Sequence, residues 1–290
     1  VTDLEVVRPG VLATVQDLGR PGLAELGVGP SGAADRRSFR LANRLVANPE
    51  GAAAVEVTLG GFAARAHRPL TVAVTGASCP VRVDGRRHGL NAVLLLAPGQ
   101  LLELAEPERG LRSYVGVRGG LAVEPVLGSR STDVLAGLGP PPLRPGTMLP
   151  VGPAPAQAPA IDLAPVAAVA GGELVLRVLL GPRHDWFEER AVRTLLTEPY
   201  TVSTDSNRVG MRLEGPTLPR TVPGELPSEG LVPGAIQVPT LGRPTLFLAD
   251  HPLTGGYPVI AVVRSADVDS AAQACPGQVL RFRLDRVTRR

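Results

Sequence analysis

The chain of 290 residues contains no lysine, so all 30 of its basic residues are arginine. A bias toward Ala, Arg, Gly and Pro accounts for that absence, but the chemistry it excludes is excluded all the same. There is no P-loop lysine for ATP, no Schiff-base lysine and no lysine to carry biotin. Aromatic residues are scarce at 3%, which rules out base or sugar stacking as the main mode of recognition. The only cysteines, Cys79 and Cys275, cannot form a metal cage by themselves, and His67, His88, His184 and His251 lack any metal-ligand spacing. No metal is expected. No apolar run approaches the ~18 residues of a membrane span, and the first residues carry no basic-then-apolar signal. The expectation is a cytoplasmic protein with reduced thiols and no membrane association. A net charge of +3 with scattered arginines gives no basic stripe, so nucleic acid is not an expected partner.

Hydrophobic residues make up 44% of the chain, enough for a large core. The 34 glycines and 30 prolines are spread along its length, the pattern of short strands joined by tight turns. Alternating apolar runs predict strands at "AVEVTL", "LTVAVTG", "AVLLLAPGQLLEL" and "RSYVGV", then at "ELVLRVLLG", "TLFLAD", "PVIAVV" and "VLRFRL". "VDGRRH" predicts a hairpin turning on Asp84 and Gly85. Helices are predicted over 33–47, with Ser31 as cap and Asn48-Pro49 as stop, over 185–196 and over 265–274. The Pro/Ala-rich stretch 151–172 reads as a semi-rigid connection between a β-rich lobe of residues 1–150 and another of residues 173–290. The two halves echo one another at "APGQLLEL" and "CPGQVLRF", a pattern open to internal duplication or to chance.

Four segments hold polar side chains at glycine corners. "VQDLGRPGLAELGVGPSGAAD", Val15 to Asp35, contains five glycines and two prolines. A plain strand-to-helix connection accounts for Gly19, Gly22, Gly32 and Asp35. It does not account for Gln16, Asp17 and Arg20 crowding one corner, nor for Ser31 and for Asn43 on the following helix. A helix N-terminus also offers free N–H groups to an anion, so this loop reads as functional. In "LGSRST", Ser129 and Arg130 are placed to grip a carboxylate or phosphate, the alternative being a short capped helix beginning near Ser131. Asp205, Asn207 and Arg208 fall in a turn leading into a strand, where an Asx-turn is the structural alternative. The segment Pro227 to Pro258 contains Glu229 and Gln237, ends a strand at Asp250 and then presents Thr254 and Tyr257. No Ser/His/Asp or Cys/His set stands out.

Taken together and in order, "TVQDLGRPG", "GPSGAAD", "LANRLVAN", "VEVTLGG", "LGSRST", "SNRVGMRLEG", "PSEGLVPGAIQVP" and "TGGYPVIAVV" closely resemble the allophanate hydrolase subunit 2 family, from about Leu4 to Arg283. That family includes the C-subunit of bacterial 5-oxoprolinase, Kip-type regulators and part of the carboxyltransferase domain of urea carboxylase. The resemblance implies a mainly β protein with a cyclophilin-like β-barrel fold, here in two barrel-like lobes with a few short helices. It implies a subunit 1 family partner, with room for a further 5-oxoprolinase subunit, and a small-molecule amide substrate. The candidates for catalysis are Asp17, Arg20, Arg208 and Asp250, to which the resemblance points, and Asp205, from its turn alone. The candidates for substrate binding are Gln16, Ser31, Asp35, Asn207, Glu229, Gln237 and Tyr257, to which the resemblance points, and Asn43, Ser129, Arg130 and Thr254, from their own segments. Amidase activity of the serine–lysine type is excluded for want of a lysine. Three functions stay open. One is part of an ATP-dependent lactam hydrolase acting on 5-oxoproline, with ATP held mainly by a partner. Another is a carboxyltransferase component meeting carboxybiotin, and the third is a non-catalytic regulator. A chain without fused biotin modules favours the first.

Overall fold

The computed structural model describes residues 3–222, 224 and 226–285. The chain divides into two compact units. The first holds the described residues up to Arg20 together with Ser31–Ala170; the second holds Pro21–Pro30 and the described residues from Gly171 on. Helices are few, and strands dominate both units.

In the first unit a six-stranded sheet runs in the order Met148–Leu149, Leu4–Pro9, Phe62–Ala66, Leu101–Leu104, Val81–Val83, Arg86–His88. A five-stranded sheet runs Leu12–Gln16, Ala54–Thr58, Arg109–Val117, Leu70–Ser78, Val93–Leu96. Leu4, Val6, Phe62 and Leu102 of one sheet and Val15, Val55, Val72 and Val115 of the other fill a single core. The period-2 apolar pattern thus buries one face of each sheet against the other. Asp84 and Gly85 take φ of 47° and 77° at the tip of the hairpin joining Val81–Val83 to Arg86–His88, the left-handed pair that a two-residue turn demands. Where strands Leu70–Ser78 and Arg109–Val117 shift register, Gly76 sits at φ 97°, and a Cβ there would fall 2.3 Å from the Arg112 carbonyl oxygen. Only glycine fits that bulge.

The second unit closes into a seven-stranded barrel: Leu174–Leu180, Val259–Val263, Ala235–Gln237, Thr245–Phe247, Gly210–Glu214, Tyr200–Val202 and Val279–Leu284. Leu176, Val178, Ile236, Leu246, Ile260 and Phe282 pack inside it. A ribbon of Glu229–Gly230 paired with Thr254–Gly255 lies outside the barrel sheet. The closed barrel belongs to the second unit alone; the first is a pair of sheets around one core.

Among the described residues there are three α-helices: α1 (Arg36–Leu45), α2 (Glu189–Thr197) and α3 (Ser265–Ala271). α1 is shorter than the span 33–47. Asp35 caps it, accepting from the Ser38 amide at 3.0 Å, whereas Ser31 stands outside the helix at φ 50° and donates to the Thr132 carbonyl. A carboxylate at the cap position bonds an orphan amide and favours the positive end of the helix. The predicted helix 185–196 is broken by Phe187 and Glu188 into a single 3-10 turn, His184–Trp186, and α2. No helix begins at Ser131. There the Asp133 carboxylate accepts from the Leu135 and Ala136 amides and closes an Asx-turn. No helix among the described residues is long and apolar enough to cross a membrane.

The Pro/Ala-rich stretch, expected to be a semi-rigid connection, groups with the first unit as far as Ala170. The Val93 amide donates to Asp162, the Ala164 amide donates to Asn91, and Arg118 donates to the carbonyls of Pro155 and Gln157. Proline removes many of the stretch's own donors but leaves its carbonyls as acceptors, and the first unit binds three of those carbonyls and the Ala164 amide.

Candidate functional site

Two segments read as separate in the sequence form one polar cluster in the first unit. The strand Leu12–Gln16 delivers Asp17 against the turn Val126–Ser129, which is closed by reciprocal amide–carbonyl bonds across Leu127 and Gly128 at φ 52° and 78°. The Asp17 carboxylate then accepts four hydrogen bonds. Oδ1 takes the Gly19 amide at 2.7 Å and the hydroxyls of Ser129 and Ser131 at 2.6 Å each; Oδ2 takes the Arg130 amide at 2.6 Å. This saturates an anion that is 9% exposed. Arg20, at 2% exposure, donates from Nη2 to the Ser131 carbonyl at 2.5 Å and from Nε to that of Val126 at 3.4 Å. Gln16 reaches the Thr132 carbonyl at 2.9 Å. Asp17 and Arg20 therefore do not pair with each other; both clamp the loop 126–132. Arg130 is the outward-facing member. Its Nε donates to the Val123 carbonyl, while its terminal nitrogens make no hydrogen bond within the described residues.

The first unit holds a second buried set, none of whose members is among the site residues expected from the sequence. Glu56, Arg112 and Tyr114 are all at 2% exposure or less. The Tyr114 hydroxyl donates to Glu56 Oε2 at 2.8 Å and accepts from the Asp35 amide at 2.7 Å; the Ala34 amide donates to the same Glu56 oxygen at 2.9 Å. Burial, together with the charges of Glu56 and Asp35, raises the Tyr114 phenol well above its ordinary value. The signal available in the sequence is the carboxylate inside "VEV", an ionisable residue at a strand position where burial is the rule.

Asn43, at 0% exposure, is not displayed on α1 but turned inward. Its amide donates to the carbonyls of Ala52 and Glu50, and its oxygen accepts from Asn48. Its role is to close the chain after the helix. The start of α1 is likewise occupied, because Asp35 Oδ2 also accepts from the Ser38 hydroxyl at 2.6 Å. The expected anion seat is filled by the protein's own carboxylate.

In the second unit Arg208 and Asp250 form a two-pronged ion pair, Nε to Oδ2 at 2.9 Å and Nη2 to Oδ1 at 3.0 Å, with both side chains almost fully enclosed. Asp250 thus joins the turn of Asn207 and not the loop of Thr254. The Asn207 oxygen accepts from the Val209 and Gly210 amides at 2.8 and 3.2 Å, an Asx-turn on an otherwise exposed residue. Asp205 is exposed, with no side-chain hydrogen bond among the described residues. Glu229, Gln237, Thr254 and Tyr257 gather around the ribbon. Arg183 grips the Glu229 carboxylate with Nε at 2.9 Å and with Nη2, and this contact holds the Glu229 carboxyl below its ordinary value. Gln237 donates to the Tyr257 carbonyl at 2.9 Å. Thr254 is exposed and Tyr257 half-buried.

Residues 26–284 match the family model described as "Carboxyltransferase domain, subdomain A and B". The chain belongs to this carboxyltransferase-domain family. It is 38% identical to the 5-oxoprolinase C-subunit of Escherichia coli (strain K12), over 96% of this chain and 90% of that one. It is 33% identical to the "Urea amidolyase" of Lachancea kluyveri over 96% of this chain, but that match spans only 17% of the relative. Among solved structures it resembles "TTHA0988" with a TM-score of 0.88 at 35% identity, spanning 55% of that chain. It also resembles the K. lactis urea amidolyase with a TM-score of 0.91 at 30% identity, spanning 19% of that chain. Glu56, Tyr114, Arg208 and Asp250 lie within the matched residues, whereas Asp17 and Arg20 precede them. Among the described residues, no three of His, Cys, Asp and Glu gather into a group able to hold a metal ion.

Proposed function

We propose that this carboxyltransferase-family chain is the C-subunit of an ATP-dependent 5-oxoprolinase. In this reading it works with a subunit 1 family partner to open the lactam of 5-oxoproline to glutamate. One observation carries the reading: the chain is 38% identical to the E. coli 5-oxoprolinase C-subunit, against 33% to the Lachancea kluyveri urea amidolyase, over the same 96% of this chain.

The chain's own residues do not fit a nucleotide. A triphosphate seat needs free amides at a helix start or a lysine beside a glycine loop. Here α1 is capped by Asp35, α2 begins at Glu188 and Glu189, and lysine is absent. No step is therefore assigned to ATP on this chain, and a partner holds it. The chain's contribution is positioning and charge. In this reading Asp17 and Arg20 fix the loop that carries Arg130, whose free guanidinium nitrogens meet an anionic group of the reactant. Arg208 and Asp250 fix the turn that presents Asp205 and Asn207. Glu229, kept ionised by Arg183, is the accessible carboxylate best held in place on the ribbon.

The reading is tested by mixing all candidate subunits and measuring ADP release with 5-oxoproline, urea or allophanate supplied separately. Stimulation by 5-oxoproline alone is expected. A second reading, a carboxyltransferase component that receives carboxybiotin, is favoured by the close structural match to a urea amidolyase. It predicts release stimulated by urea and only with a biotinylated carrier. With no lysine, the chain cannot itself be that carrier.

A further inference from the structure

A cleft of about 350 Å³ opens in the second unit between the segment 203–214 and the turn that precedes strand Thr245–Phe247. Four charged side chains line it: Asp205, Arg212, Glu214 and Arg243. Two are acidic and two basic, yet among the described residues none of the four forms a side-chain hydrogen bond or an ion pair with another. Three other outer arginines of the unit are paired, Arg177 with Asp267, Arg264 with Asp285 and Arg281 with Glu173, whereas Arg193 and Arg283 are exposed and without an ion pair among the described residues. Strand geometry explains the open arrangement. Arg212 and Glu214 stand two apart on strand Gly210–Glu214, on one face but about 7 Å apart along it, too far for a contact between their stems.

The walls are fixed. The Ser203 amide donates to the Arg212 carbonyl, the Gly242 amide to Pro239 and the Leu218 amide to Gly242. Leu213, between Arg212 and Glu214 on the strand, turns its side chain into the barrel core, so Pro239 and Pro244 supply apolar wall and the lip is Leu241, which is 82% exposed. A leucine held out at the edge of a cleft adds nothing to the core; it adds apolar area to whatever the cleft holds.

We infer that this cleft binds a free α-amino acid. Its volume sits at the small end of ligand pockets, which run roughly 300–1,000 Å³. A polyanion would meet Asp205 and Glu214, and a simple cation would meet the two guanidiniums. A zwitterion satisfies both signs: its carboxylate faces Arg212 and Arg243, its ammonium faces Asp205 and Glu214, and its side chain lies against Leu241, Pro239 and Pro244. Guanidinium–carboxylate contacts supply the directional part of the recognition. The inference does not rest on the proposed lactamase role, because binding is measured on the chain alone.

The test is isothermal titration calorimetry of the full chain with L-leucine and, separately, L-glutamate. N-acetyl-L-leucine, which lacks the ammonium, and L-leucinamide, which lacks the carboxylate, serve as controls. Saturable binding of at least one amino acid is expected, weakened at least about tenfold by loss of either charged group from the ligand and by Arg243→Gln or Glu214→Gln. These positions are exposed, so both variants are expected to keep the wild-type melting temperature. No saturable binding of either amino acid, or equal binding of the acetylated ligand, overturns the inference. The ligand comparison uses the wild-type chain and decides the matter whatever the variants do.

Discussion

Arg208 and Asp250, 42 residues apart in sequence, meet in a bidentate ion pair with side-chain exposures of 1% and 0%. Their backbones are tied as well, through the Asp250 amide and the Arg208 carbonyl at 3.1 Å. Two charges so enclosed gain from each other only what their desolvation leaves. Their function is to hold the Asn207 turn against the end of strand Thr245–Phe247.

Removing one partner leaves the other charged and buried. Arg208→Ala and Asp250→Ala are each expected to lower unfolding stability by about 3–5 kcal/mol. The double replacement Arg208→Met/Asp250→Leu is expected to recover most of that loss. Urea unfolding followed by circular dichroism checks both. A double variant as unstable as the sum of the singles would contradict a purely positional pair.

Asp17 is held by four donors, and asparagine cannot replace it. An asparagine oxygen can accept on one side only, and its NH2 group would face a donor on the other. Asp17→Asn is expected to cost about 2–3 kcal/mol and to speed amide exchange at residues 129–132 far more than elsewhere in the first unit. Arg20→Lys is expected to behave like Arg20→Ala, since a point ammonium cannot span the carbonyls of Val126 and Ser131. Hydrogen exchange followed by mass spectrometry reads all three variants.

Tyr114→Phe removes one hydroxyl and orphans the Asp35 amide and one Glu56 contact. A loss of about 1–3 kcal/mol is expected, again by urea unfolding. Phenylalanine keeps the edge contact with Phe39, whose ring centroid lies 6.0 Å away. A loss within that range therefore reports the hydroxyl and not the packing.

The Arg183–Glu229 pair carries a pH signature. Because Arg183 lowers the folded carboxyl below its ordinary value of 4.5, the pair stabilises the ribbon above pH 4.5. That contribution fades as pH falls through the lower folded value. Titration of Glu229 by carbon-13 NMR is expected to show a midpoint below 4.5 that returns to the ordinary value in Arg183→Gln.

Much of the fold was legible because it depends on neighbours in sequence. Asp84-Gly85 specified its hairpin through backbone conformation alone. The echo between "APGQLLEL" and "CPGQVLRF" proves to be one turn built twice. Gly99 and Gly277 take φ of 86° and 83°, and the Gln100 and Gln278 side chains each accept from the amide three residues earlier. What stayed hidden depends on contacts distant in the chain. Nothing local marks Asn43 as an inward brace rather than a displayed amide, and nothing local joins Asp17 to Ser129 and Ser131. The Pro/Ala stretch read as a linker because its composition is poor in donors, while most of the donors that fasten it sit outside it, on Arg118 and Val93.

The most direct test of the account is glutamate formation by the reconstituted complex, measured with and without this chain. Glutamate and ADP produced together from 5-oxoproline and ATP, only when the chain is present, with production impaired in Arg130→Ala while the complex still assembles, is the predicted result. A complex that forms glutamate equally well without the chain, or turnover stimulated by urea and a biotinylated carrier instead, would contradict it.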